Sequence, residues 1–236
     1  MAAPADRLAS PRLRTLARAR SASRERAEAQ QESCDLCGEA IPPEHRHLLD
    51  LESRELMCAC RACSLLFDRG AAGGGHYRLV PDRRLRLEGF ELPDPTWERL
   101  RIPVEMAFFF NSSAEGRVMA FYPSPMGPTE SRLGLDAWSE IETANPILET
   151  LTPDVEALLV NRARGSRRHW LVPIDECYAL VGTIRTRWRG FSGGSEVWRA
   201  IDAFFSDLDS RSKPVDPAGA ADHAEAAPAG AAEGSR

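Results

Sequence analysis

The chain has 236 residues and a formal net charge of −5, and 43% of its residues are hydrophobic, which is enough for a real core. Its 30 basic residues comprise 29 arginines and a single lysine, Lys213, close to the C-terminus. Enzymes that form a Schiff base on lysine and P-loop nucleotide hydrolases are therefore excluded, because each needs a lysine in a folded site. The longest strongly apolar run, 106–110, is far shorter than the ~18 residues that span a bilayer, so we expect no membrane span.

Residues 1–32 are rich in alanine, arginine, serine and glutamine and poor in large apolar side chains. This composition predicts a disordered arm, because there is little to bury. The arm lacks the apolar stretch of a secretory signal, which predicts a cytoplasmic protein. Thiols stay reduced in the cytoplasm, so clustered cysteines there indicate a metal or redox site.

Residues 33–70 are predicted to be a metal-binding module of the zinc-ribbon type. Two C-x2-C turns, separated by 22 residues, supply four thiols: Cys34, Cys37, Cys60 and Cys63. Residues 47–58 between the turns have the pattern of a β-hairpin, which would bring the turns together around one ion. With four protein ligands the ion has no open position, so we expect a structural role rather than a catalytic one.

Alternatives remain open within this module. Cys58 is an alternative ligand in place of Cys60, although its position on a strand favours a buried structural cysteine. His45 and His47 are weaker candidates, because four thiolates already complete a tetrahedral shell. Zn²⁺ is preferred to iron, since a rubredoxin-type site favours glycine after both turns and Ser64 follows the second. Iron remains the alternative cofactor.

Residues 71–81, with three consecutive glycines, are predicted to be a linker to an α+β domain over 82–210. Two hairpins are predicted there, at 104–111 with 117–123 and at 155–164 with 168–173. Helices are predicted at 135–144, 174–188 and 195–208, the last with Ser195 as N-cap. Three identities recur at an offset of 50 residues: Pro103 and Pro153, Asn111 and Asn161, Pro123 and Pro173. This recurrence predicts a ββα–ββα tandem, with one antiparallel sheet covered by helices.

Residues 211–236 are dominated by alanine, proline, glycine and acidic residues and are predicted to be a disordered tail. The folded part, 33–210, carries 20 arginines against 27 acidic residues, a balance that disfavours nucleic-acid binding.

No catalytic residues are predicted. The proline-rich segment 122–131 is interpreted as a stiff exposed connector, with a binding loop as the alternative, and Ser124 lacks the G-x-S-x-G setting of a nucleophile. His76 and His169 have no carboxylate or serine partner visible in the sequence, and Cys177 lies on the apolar face of a predicted helix. A small-molecule enzyme would need convergent polar groups near 124–130 or His169.

Several long motifs resemble one bacterial family, the domain-of-unknown-function family DUF5947. They include CDLCGEAIPPEHRHLLDLESRELMCACRACSLLFD, GRVMAFYPSPMGPTES and WRGFSGGSEVW, and the resemblance covers about 33–208. Genes of that family tend to lie beside those of uptake [NiFe] hydrogenases, which implies an accessory role in assembling or serving that enzyme. The resemblance implies no catalytic residues, since no activity is established for the family. The cysteines that match its motifs are Cys34, Cys37, Cys58, Cys60 and Cys63.

Together these observations predict a non-enzymatic, metal-binding accessory protein. Its expected partner is another protein, such as a subunit or maturation factor of a [NiFe] hydrogenase. A rubredoxin-like electron-transfer protein is the first alternative, and a small-molecule enzyme in the C-terminal domain is the second.

Overall fold

The computed structural model describes residues 32–67, 75–131, 135–190 and 193–216. These residues form two β-sheets with helices packed against them. Residues 1–31 of the arm predicted at 1–32, and the predicted tail after residue 216, lie outside the described residues. The architecture is α+β, as the sequence predicts. Among the described residues, no helix is both long enough and apolar enough to cross a membrane.

The smaller sheet has three antiparallel strands in the order β2-β1-β3. Its strands are β1 Arg46–Asp50, β2 Leu56–Ala59 and β3 Tyr77–Leu79, and helix α1, Arg61–Phe67, follows β2. The predicted hairpin is therefore present. The structure corrects the prediction of a linker at 71–81, because strand β3 lies within that range and pairs with β1.

The larger sheet has seven strands in the order β10-β4-β9-β8-β5-β6-β7, all antiparallel except the parallel pair β10 and β4. The strands are β4 Leu85–Leu87, β5 Met106–Ser112, β6 Arg117–Ser124, β7 Gly127–Ser131, β8 Glu156–Asn161, β9 Arg168–Pro173 and β10 Lys213–Val215. The helices are α2 Asp94–Arg99, α3 Leu135–Ala144, α4 Ile174–Arg187 and α5 Gly194–Arg211, with short 3₁₀ turns at Pro146–Thr150 and Ala163–Gly165.

Both faces of the larger sheet are buried, which explains why its central strands are almost continuously apolar. On β5, Phe108 and Phe110 face the core beneath α4 and α5, and Phe109 faces the opposite core beneath α3. Trp138 of α3 stacks on Phe109 with ring centroids 5.0 Å apart. The helix boundaries of α3 and α4 agree with prediction to within one residue.

The predicted ββα–ββα tandem is not confirmed. The two predicted hairpins do lie side by side, with β5 paired to β8 at the centre of the sheet. However, β7 separates the first hairpin from its helix, and α3 and α4 cover opposite faces of the sheet. A sheet that is apolar on both sides needs helices on both sides, so the second helix does not repeat the position of the first.

The structure also corrects the interpretation of segment 122–131. This segment forms the end of β6, a tight turn and β7, rather than a stiff exposed connector. Pro123 lies opposite Pro128, and β7 is the edge strand of the sheet. An edge strand tolerates proline because one side of its backbone has no strand to bond.

The C-terminal boundary also differs from prediction. Helix α5 begins after Gly193 rather than at a Ser195 cap, and it continues to Arg211. Residues 213–215 form β10, and the Val215 side chain is buried against the second core. A disordered tail from residue 211 is therefore wrong for residues 211–215, because β10 completes an edge that β4 would otherwise leave unpaired. Lys213 consequently lies in a folded strand, so the premise that excluded lysine-dependent enzymes is wrong.

The smaller sheet packs against the larger one, so the two predicted units share a core. Leu49 and Val80 belong to the cluster formed with α4 and α5. The guanidinium of Arg54 donates to Ser112 Oγ at 2.9 Å, and that of Arg78 donates to Asp154 Oδ2 at 2.8 Å. The cysteine-bearing residues are thereby held on the face of the larger sheet that α4 and α5 cover.

Gly193 is expected to be intolerant of a side chain. Its φ is +84°, and a Cβ there would lie 2.8 Å from Val197 Cγ1. Gly193→Ala should lower the free energy of unfolding by about 1–3 kcal/mol, measured by urea denaturation. Gly182→Ala is the matched control, since Gly182 lies inside α4 with open space around it. This control should raise stability by about 0.5–1 kcal/mol, and equal effects of the two changes would contradict the argument.

Candidate metal centre

Four thiols converge at the N-terminal end of the described chain. The Sγ atoms of Cys34, Cys37, Cys60 and Cys63 all lie within 4.8 Å of one another. The Sγ atoms of Cys37 and Cys60 are 3.7 Å apart. A Zn–S bond is about 2.3 Å, so a tetrahedral site places its sulfurs about 3.8 Å apart. The spacing fits four ligands of one ion, and all four cysteines are free of disulfides.

The first turn is shaped by hydrogen bonds around Cys34. The Gly38 amide donates to the Cys34 carbonyl at 2.8 Å, and the Cys34 amide donates to the Glu39 carbonyl at 2.8 Å. Gly38 has a φ of +76°, a conformation that glycine adopts without steric cost. This position explains why glycine follows the second cysteine of the turn.

The second turn passes directly into helix α1. The Ser64 amide donates to the Cys60 carbonyl at 2.9 Å, and the Cys63 amide donates to Cys60 Sγ at 3.4 Å. Because residues 61–67 are helical, Ser64 needs no positive φ. The helix therefore explains why serine, rather than glycine, follows the second cysteine of this turn.

The hairpin between the turns connects them, as the spacing predicts. The Asp35 amide donates to the Cys58 carbonyl at 2.9 Å, and the Cys58 amide donates to Asp35 Oδ2 at 2.6 Å. These two bonds tie the first turn to β2, two residues before Cys60. They explain how thiols 23 residues apart come within reach of one ion.

The thiols differ in their electrostatic surroundings. Burial acts to raise the pKa of Cys34, but backbone hydrogen bonds from Cys60, Cys37 and Leu36 together lower it to about 6. The neighbouring Cys60 sulfur, together with burial, raises the pKa of Cys63 to about 12. Four thiols this close do not readily all lose their protons, because the resulting thiolates repel one another. A bound dication would offset that repulsion.

The apolar core around these thiols is small. Its buried members are Cys34, Ile41 and Cys60, with Cys58 and Cys63 partly buried beside them. So few apolar side chains provide little folding free energy around the thiols, and an ion bound by them would add to it.

The other two cysteines, Cys58 and Cys177, lie outside this group of four. Cys58 is half-buried rather than fully buried, and it groups with His45 and His47 instead of with the four cysteines. Burial, followed by the nearby Asp35 carboxylate, raises the pKa of the Cys58 thiol. Cys177 is fully buried in the core beneath α4, as predicted.

A groove of about 1510 Å³ separates the cysteine-bearing residues from the ends of α4 and α5. On its inner side Glu176 accepts hydrogen bonds from Arg84 at 2.6 Å and from Arg211 at 2.8 Å. The residues lining it include six carboxylates and four arginines: Glu39, Glu44, Asp82, Asp175, Glu176 and Asp207, with Arg46, Arg61, Arg84 and Arg211. This mixed lining fits a polar partner better than a phosphate backbone.

Sequence reasoning missed this groove, because its two sides are far apart in the chain. His47 Nδ1 lies 2.8 Å from Asp175 Oδ2, across 128 residues. The only sequence signal at Asp175 is an acidic residue in the first turn of a helix, which is common without a partner.

The other predicted candidates do not assemble a site. Ser124 Oγ donates to the Gly127 carbonyl at 2.9 Å, inside the β6–β7 turn. His169 packs against Phe90 with ring centroids 4.6 Å apart, and burial, aided by Arg162 and Arg167, lowers its pKa to about 4. Neither Ser124 nor His169 lines the groove.

Exposed leucines concentrate near the cysteines. Of the five large hydrophobic side chains exposed in the described residues, three are Leu36, Leu65 and Leu66. Leu65 and Leu66 lie on α1 and are 64% and 63% exposed. Leu65 and Leu66 therefore present a small apolar surface beside the cysteines.

The comparisons with known proteins identify a family and no individual relative. The sequence model described as "Family of unknown function (DUF5947)" matches residues 33–212. No curated protein and no solved structure matches the chain.

Proposed function

The chain belongs to the family of unknown function DUF5947, and we propose that it is a non-enzymatic accessory protein built around a zinc-ribbon module. Cys34, Cys37, Cys60 and Cys63 would bind one Zn²⁺ as thiolates. The observation that carries this proposal is the convergence of the four Sγ atoms within 4.8 Å. Because protein sulfurs fill all four positions, the ion is structural.

The ion would hold α1 and the first cysteine turn against the hairpin, and so position a contact surface. That surface comprises Leu65, Leu66 and the adjoining groove. We propose that a protein binds there, rather than nucleic acid, since the groove lining is mixed in charge with an excess of carboxylates. A cytoplasmic location is consistent with thiols kept reduced for metal binding.

The resemblance noted in the sequence supplies the partner class, a subunit or maturation factor of an uptake [NiFe] hydrogenase. The test is a pull-down with the full chain from a hydrogenase-expressing host. We expect recovery of a hydrogenase-related protein, and loss of that recovery when Leu65→Arg and Leu66→Arg are combined. Met126→Arg is the control, because Met126 is also apolar and even more exposed but lies in the β6–β7 turn. Recovery of no hydrogenase-related protein would contradict this partner.

Metal identity is tested on protein purified without added metal. We expect colourless protein that contains zinc, and loss of about one equivalent in Cys37→Ser and in Cys60→Ser. Cys177→Ala, which removes a buried thiol outside the cluster, should keep its full metal content. Red protein that bleaches on reduction would overturn zinc in favour of the rubredoxin-like alternative, in which the same thiolates hold iron.

A small-molecule enzyme is not favoured by any of the described residues. The polar groups near 124–130 are engaged within their own turn, and the His169 ring is packed in a core. We therefore assign no catalytic residues.

A further inference from the structure

Three further metal-ligand side chains converge on the groove side of the hairpin. His45, His47 and Cys58 each offer one ligand atom, and these atoms lie within 4.8 Å of one another. This cluster is separate from the four-cysteine group, with no ligand shared. Both histidines line the groove.

The register of the hairpin explains the convergence. His47 of β1 lies directly opposite Cys58 of β2. Directly opposite residues project to the same face of a sheet, and so do residues two apart along one strand. His45 precedes His47 by two, and the two rings lie 4.7 Å apart between centroids. Two imidazoles and one thiol therefore share one face of the hairpin, because His47 is paired with Cys58 and His45 lies just before β1.

Each histidine ring is oriented through its Nδ1 atom. His47 Nδ1 lies 2.8 Å from Asp175 Oδ2, and His45 Nδ1 lies 3.0 Å from the Pro42 carbonyl, with Glu32 Oε2 at 3.5 Å. A ring that donates its Nδ1 proton in this way presents an unprotonated Nε2. Metal-binding histidines in proteins are held by the same kind of carboxylate or carbonyl partner.

His45 Nε2 supplies an independent indication. The atom is buried without a hydrogen-bond partner, and the His45 side chain is only 6% exposed. A buried ring nitrogen without a partner costs free energy, which coordination to a cation would recover.

We propose that His45 Nε2, His47 Nε2 and Cys58 Sγ form a second metal site for a divalent cation of the Zn²⁺ class. Two imidazoles and one thiolate are ligands that suit zinc. Three protein ligands leave a fourth position open, and the groove gives water or an anionic ligand access to it. Asp175 is a positioning residue, since it acts by orienting His47.

The test is metal stoichiometry by native mass spectrometry on the full chain, after metal removal and reconstitution with Zn²⁺. We expect about two equivalents in the wild-type protein, and about one in His45→Gln, in His47→Gln and in Cys58→Ser. The three variants probe the site independently, so the test does not depend on any one of them folding. His76→Gln is the control, because His76 is exposed and outside both clusters.

A titration separates positioning from ligation. Asp175→Asn should keep both equivalents at saturating Zn²⁺ and weaken the second about 10–100-fold. Co²⁺ reconstitution supplies a second readout, since His47→Gln should remove one tetrahedral absorption component and leave that of the four-thiolate site.

Two results would overturn the proposal. One is a single equivalent in the wild-type protein that the histidine variants leave unchanged. The other is loss of metal in Cys58→Ser together with full retention in His45→Gln and His47→Gln, which would place Cys58 in the four-cysteine site. Cys37→Ser keeps the two proposals distinguishable, because it should remove the first equivalent and retain the second.

Discussion

Chelation of the metal is expected to unfold the cysteine turns and α1 while the seven-stranded sheet remains folded. The thiols lie in a small core with few apolar side chains, whereas the sheet is buried on both faces. Structural zinc in small modules supplies about 10–16 kcal/mol of apparent binding free energy, much of it folding free energy. We therefore expect amide hydrogen exchange to accelerate at least ~100-fold in 34–38 and 60–67, and to stay nearly unchanged in β5 and β8.

Cys37→Ser is the genetic counterpart of chelation and should give the same local pattern. The Cys37 side chain is exposed in the described structure, so its loss leaves no large cavity. Cys177→Ala controls for the loss of a thiol elsewhere. Unchanged exchange in 34–38 and 60–67 after complete metal removal would contradict the structural role of the ion.

Arg83→Met is expected to destabilise the whole fold by about 3–5 kcal/mol, because it leaves the buried Glu156 carboxylate without its positively charged partner. Glu156 on β8 is 1% exposed, and the Arg83 guanidinium holds both of its carboxylate oxygens at 2.8 Å. The Arg83 side chain also donates to the Thr150 carbonyl at 2.8 Å. Chemical denaturation measured by circular dichroism reports the loss.

A matched pair and a double variant test the mechanism of that loss. Arg99→Met removes an arginine whose partner, Glu140, is about half exposed, and it should cost no more than about 1 kcal/mol. Adding Glu156→Gln to Arg83→Met should restore at least about 1 kcal/mol, since the amide carries no charge and keeps an acceptor for the Thr152 amide. A double variant less stable than Arg83→Met would show that the buried charge is not the cause.

The amino-acid sequence by itself determined the local features of this protein. The spacing of Cys34, Cys37, Cys60 and Cys63 indicates their convergence, because two short turns joined by a hairpin leave few other arrangements. The 3.6-residue periodicity predicts α3 and α4 closely, since helix formation depends on neighbours three and four residues apart. Apolar runs likewise predict the pairs β5–β6 and β8–β9.

Only the tertiary structure decided which distant elements meet. The pairing of β10 with β4, of β3 with β1, and of His47 with Asp175 joins residues whose local sequences carry no mark of their partners. The placement of α3 and α4 on opposite faces depends on where apolar surface remains uncovered, a property of the assembled sheet. Local patterns specify an element because its bonds are local, whereas the groove depends on packing between elements far apart in the chain.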